Sequence, residues 1–97
     1  MSGIQAKVKI YVRDELIDIH CMAAAEALMD DNVEVFVDGC LATPIIKDDG
    51  AVAGLEWTRI NTRYQMWWSD VKSVRPYRDS ILFYVNGVYR HLTYENK

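Results

Sequence analysis

Nowhere does this 97-residue chain approach the roughly 20 consecutive apolar residues of a membrane-spanning helix. Its opening, Met1-Ser2-Gly3-Ile4-Gln5, lacks the basic and then apolar stretch of a secretory leader, so the expected location is the cytoplasm and no membrane partner is expected. Cysteine is scarce. Cys21 and Cys40 are too few for a disulfide scaffold, and without a secretion signal both are expected as free thiols. Histidine is as rare, and His20 and His91 stand in no CxxC or HxxxH spacing that would hold a metal. His20 and Cys21, read as neighbours on a strand, point to opposite faces and cannot form a nucleophile and its base. Asp30-Asp31 and Asp48-Asp49-Gly50 lack the alternating ligands and closing glutamate of a calcium loop and read as a helix end and a turn. The chain also has no GxGxxG, P-loop or GxSxG motif. No cofactor is expected, and no catalytic set supports an enzyme.

A hydrophobic content of 51% and a charged content of 26% describe a folded globular chain, expected as a single domain over residues 1–97. A chain of this size buries roughly 60 to 70% of its unfolded surface, enough for a core without staples. The net charge of −3 hides an asymmetry: residues 1–50 carry four Lys and Arg against ten Asp and Glu, and residues 51–97 carry seven against four. A basic half rich in aromatics raises nucleic acid as a partner, while the pI near 5.2 weighs against a strong phosphate footprint.

The clearest structural signal lies near the C-terminus. From Ser80 to Tyr94 two strand-like runs flank Asn86-Gly87, a pair suited to the positive φ angles of a type I′ turn. Counting outward sets Val85 against Val88, Tyr84 against Tyr89, Phe83 against Arg90, Leu82 against His91 and Ile81 against Leu92. One face then carries Ile81, Phe83, Val85, Val88, Leu92 and, out of character, Arg90. The other carries Leu82, Tyr84, Tyr89 and His91. Upstream, alternation predicts a strand over Ala6–Val12 with Ala6, Val8, Ile10 and Val12 on one side. A turn over Arg13–Glu15 follows, and then a returning strand over Leu16–Cys21, a stretch that can also be read as a helix capped by Asp14. Met22–Met29 is the stretch of strong helix formers, with Ala24, Leu28 and Cys21 toward the core, closed by Asp30-Asp31-Asn32.

Val33–Val37 reads as a strand and Asp38-Gly39 as a second hairpin turn, leading into Cys40–Thr43, a strand that Pro44 limits to an edge or ends. Apolar pieces around Asp48-Asp49-Gly50, with two glycines, predict weak pairing. Leu55–Ile60 and Arg63–Trp68 read as strands around Asn61-Thr62. Val71–Val74 is a short strand, and Arg75–Asp79 is a turn.

This order predicts an α+β domain: mostly antiparallel β, a roll or small partly open barrel of about six to eight short strands, with one short helix. Tyr64–Val74 followed by a hairpin resembles the meander of small Tudor-like or bacterial pleckstrin-like barrels; the likeness implies a fold and no function. The second half concentrates Trp57, Trp67, Trp68, Tyr64, Tyr77, Tyr84, Tyr89 and Tyr94 among arginines, the residue types of interface hot spots and of base-stacking platforms. If Tyr64, Met66 and Trp68 face inward, Arg63, Gln65 and Trp67 face outward, sharing a surface with Tyr84, Tyr89 and His91 only if the strands lie in one sheet. The expected function is a non-enzymatic binding protein using Arg63, Trp67, Tyr84, Tyr89 and His91 for a protein partner or its own homodimer. Nucleic-acid stacking on the same surface is the alternative, and a ligand held inside a small barrel the third.

Overall fold

Between Ile4 and Leu28 the sequence has neither glycine nor proline, and it forms one helix, α1 (Ile4–Leu28). The computed structural model describes residues 4–97, with the side chains of residues 15–97. The strands expected at Ala6–Val12 and Leu16–Cys21, and the turn between them, are thus all helix; the sidedness expected of Ala6, Val8, Ile10 and Val12 lies outside the described side chains. Two facts outweigh the alternation. Arg13-Asp14-Glu15 contains no residue that demands a turn, and a stripe of helical period runs through the expected second strand, with Ile17, Cys21 and Ala24 buried and Leu28 packed against them. The core positions expected at Cys21, Ala24 and Leu28 hold. Asp30 ends the helix, its side chain accepting a 2.8 Å hydrogen bond from the Asn32 amide.

Eight strands follow: β1 (Val33–Val37), β2 (Cys40–Leu41), β3 (Thr43–Ile46), β4 (Val52–Arg59), β5 (Thr62–Trp67), β6 (Val71–Tyr77), β7 (Ser80–Val85) and β8 (Val88–Asn96). A 3-10 turn over Trp68–Asp70 joins β5 to β6. They form two antiparallel sheets, one of five strands in the order β2-β1-β8-β7-β6 and one of three in the order β3-β4-β5. The class is α+β as expected, built as two sheets rather than a closed barrel, with a helix of 25 residues where a short one was expected. Pro44 and Pro76 lie in β3 and β6, edge strands whose outer side asks for no amide. The β7–β8 register matches all five expected pairs. The weakly predicted segment does pair, β3 with β4, through an irregularity at Ile45/Ile46. β6 runs on to Tyr77, leaving Arg78-Asp79 as the turn.

The inner faces of the two sheets and α1 share one core. Val35, Val37, Val71, Phe83 and Leu92 of the large sheet meet Leu55 and Met66 of the small one, all essentially without exposure, and they fill the space between the layers. Gly54 stands opposite Trp67 in the β4–β5 pair, and a Cβ there would collide with the Met66 carbonyl oxygen and the Trp67 Cα.

Three hairpin turns use positive φ at two successive positions. Asp38-Gly39 (51° and 83°) and Asn86-Gly87 (52° and 82°) supply the residues such turns favour. The third is Ile60-Asn61 (47° and 63°), one residue earlier than the expected Asn61-Thr62. This register sets Leu55 against Met66 in the core and stacks Trp57 on Tyr64 at 5.6 Å, so strand packing places a β-branched residue where its backbone is strained. Ile60 gains nothing from burial, being 87% exposed.

Gly54→Ala should destabilise by about 3 kcal/mol, because backbone rather than a movable side chain blocks the added methyl, while Gly87→Ala, which meets open space but a left-handed backbone, should lose about 1 kcal/mol. Urea unfolding of both variants checks the ranking; equal losses would mean that β4 and β5 lie less close than described. Ile60→Asn should stabilise by about 1 kcal/mol by relieving the turn, read as a raised midpoint in the same experiment.

Candidate functional site

Alternation along the large sheet sorts its side chains into an inner face, which joins the core, and an outer face. On the outer face the register produces cross-strand rows. Tyr89, Tyr84 and Ser73 form the first, and His91, Leu82 and Arg75 the second; Leu41, Phe36, Thr93, Ser80 and Tyr77 form the third, and Glu34 and Glu95 stand opposed in a fourth. Tyr84 and Tyr89 lie with ring centroids 4.7 Å apart, as a directly opposed pair should. The Tyr77 ring meets His91 edge-on at 5.8 Å, and the Arg78 guanidinium covers the same tyrosine at 5.5 Å. At the centre Leu82, assigned to this surface from the sequence, is only 7% exposed, although it does not belong to the main core.

His91 is held from two sides. Its backbone amide donates to Asp38 Oδ1 at 3.0 Å, and its Nδ1 lies 3.3 Å from Ser80 Oγ. Ser80 spends its one hydroxyl proton on the Tyr77 carbonyl at 3.0 Å, so in this arrangement Nδ1 carries the proton that joins the two side chains. The contact orients the imidazole and does not activate the serine. Among the described residues no three His, Cys, Asp or Glu converge on a point that would hold a metal.

The five sequence-derived binding residues divide between the layers. Tyr84, Tyr89 and His91 share the outer face of the large sheet. Arg63 and Trp67 stand on the outer face of the small one, where Arg63 Nε pairs with Glu56 at 3.9 Å and the Gln65 amide donates to the same carboxylate at 3.1 Å. The single surface expected for all five is therefore not formed, because β5 and the β7–β8 hairpin belong to different sheets. Tyr77 takes a place beside His91 that its reading as a turn residue concealed. The signal was available: continuing the β7–β8 register into β6 sets Tyr77 opposite Ser80.

Arg90, the odd member of the inner face, closes one side of the gap between the sheets. Its guanidinium stands 5.1 Å from the Trp57 ring centroid and 5.6 Å from that of Tyr64, and it bonds Asp38 Oδ2 at 3.0 Å. This partly desolvated cation has two aromatic rings and a carboxylate to satisfy it.

Neither Cys21, which is buried, nor Cys40, which is half-buried, takes part in a disulfide among the described residues. Tyr94 keeps 39% exposure, and the partial burial of its phenol raises it above the ordinary value of 10.0, with the Cys21 sulfur adding in the same direction. The unfolded chain then loses this proton more readily than the folded one. The contribution is complete below pH 10 and is lost as pH rises through the folded value. Stability followed across the alkaline range should fall less steeply for Tyr94→Phe than for the parent, and parallel curves would show that the phenol is not shifted. Compared with known proteins, the chain matches no family model, no curated protein and no solved structure.

Proposed function

We propose that this chain is a non-enzymatic interaction protein that pairs with a second copy of itself through the outer face of its five-stranded sheet. The observation that carries the reading is the gathering of Tyr77, Tyr84, Tyr89 and His91 around Leu82 on one face, with Tyr89 57% exposed. The rings and Leu82 form one contiguous patch rather than scattered single residues, the arrangement that favours an interaction site. Charge supports a self-complementary arrangement. Glu34 and Glu95 stand directly opposite each other, an unfavourable pair, while Arg75 and Arg78 lie at the β6 side. A two-fold axis in the plane of the face brings the basic side of one copy over the acidic corner of the other.

Strands about 4.8 Å apart, with rows about 6.8 Å apart that span three to five of them, give a patch of roughly 400 Å² per copy, about 800 Å² in all, which is below the size of a standard interface and fits a weak, transient dimer. The second reading is single-stranded nucleic acid stacked on the same rings. Arg78 over Tyr77 favours it; Glu34 and Glu95 on the same face repel phosphate.

Sedimentation equilibrium at micromolar concentrations should give a monomer–dimer curve. Tyr84→Ala with Tyr89→Ala should weaken it by about tenfold or more, and Trp67→Ala, on the other sheet, should leave it unchanged. A monomer throughout, or a dimer indifferent to the tyrosines, would remove this reading. Binding of an oligonucleotide with a steep salt dependence would replace it with the second.

A further inference from the structure

Burial of one stripe of α1 leaves its opposite side bare. The described half of the helix exposes Leu16, Ile19 and Met22, the last two at 56% and 63%, and no other described element covers them. Helical spacing sets Glu15, Ile19, Met22 and Glu26 in one outward line, with Leu16 and Asp18 flanking it. Beside this line, between α1 and the strand β4, a groove of about 260 Å³ is walled by Cys21, Met22, Ala25, Val52 and Trp68, with Asp18 at its rim. Trp68 is fixed there by its indole N–H, which donates to the Val52 carbonyl at 3.1 Å.

The described half of α1 carries charge of one sign, Glu15, Asp18 and Glu26 with no Lys or Arg, while Lys47 lies beyond Trp68 and Val52 on the far side of the groove. Such a surface repels nucleic acid and anionic lipid, and a second copy offering the same face would set carboxylates against carboxylates. A partner with apolar side chains along one stripe and cations beside them meets both features. A helix is the form that matches the spacing, because Ile19 and Met22 lie on successive turns and the groove runs along α1. Flexible methionine adapts to whichever anchor enters.

We propose that the outer face of α1, with the groove beside Trp68, docks a basic amphipathic helix of a partner protein. An anchor side chain of leucine size enters between Met22 and Trp68, and lysines or arginines flanking it reach Glu15, Asp18 and Glu26. This face is separate from the outer face of the five-stranded sheet, so the two readings stand or fall independently.

Fluorescence anisotropy with the full chain tests this, using a labelled Leu/Lys peptide of about 18 residues patterned as an amphipathic helix. A scrambled Leu/Lys peptide and a Leu/Glu peptide of the first pattern serve as controls. The expected result is saturable binding of the patterned basic peptide, weakened about tenfold by Met22→Lys and by Ile19→Ser, and weakened again by salt. Tyr89→Ala should leave it intact. Both α1 positions are exposed, so these variants should unfold at the parent temperature, and circular dichroism verifies that they are folded. Equal binding of the scrambled or acidic peptide, no binding, or indifference to both substitutions would overturn the proposal. So would a dimer in sedimentation that Ile19→Ser dissolves, since the occupant of the face would then be a second copy.

Discussion

A five-stranded sheet with Val35, Val37, Val71, Phe83 and Leu92 on one face cannot leave that face in water, and this constraint organises the molecule. One helix is too narrow to cover it. The face receives α1 and, beside it, a second sheet of three strands, and all three elements contribute to one core. Whatever points away from that core is left to make contacts outside the molecule. The aromatic rows of the large sheet, the outer face of the small one with Arg63 and Trp67, and the apolar line of α1 are the surfaces so defined.

The polar members of the inner layer follow from the same constraint. An arginine on a core face is tolerable only where aromatic rings and a carboxylate replace its water, and Arg90 finds Trp57, Tyr64 and Asp38. Asp38 serves two purposes, since it also accepts from the His91 amide and so ties the β1–β2 turn to β8. A turn residue chosen for its backbone thus holds in place the arginine that reaches across to the second sheet.

The legible parts of the fold were those with local causes. Asn86-Gly87 and Asp38-Gly39 dictated their turns through backbone conformation alone, and with them the register that sets Tyr84 beside Tyr89. The first third of the chain misled because its alternation is too short to exclude a helix: Leu16–Cys21 satisfies both periods, and only contact with the sheets decides between them. The Ile60-Asn61 turn was hidden for the opposite reason, since its residues disfavour the conformation that strand packing imposes. The candidate site was half legible. Which side of its strand Trp67 occupies follows from alternation, but membership of one sheet or another depends on pairings between distant strands that no local pattern encodes.

The large sheet is sealed by its first strand lying against its last, Val33 opposite Asn96 and Val37 opposite Leu92. The hairpins β3–β4, β4–β5, β6–β7 and β7–β8 close short loops and form rapidly. The β1–β8 ladder must wait until some sixty intervening residues have collapsed, the slow and entropically expensive step of such a topology. Until then the β1–β2 hairpin offers a bare, valine-rich margin to any strand that passes, including the β8 of a neighbouring molecule. Yield on refolding is accordingly a race between intramolecular closure and strand exchange, decided by protein concentration rather than by the stability of the finished fold.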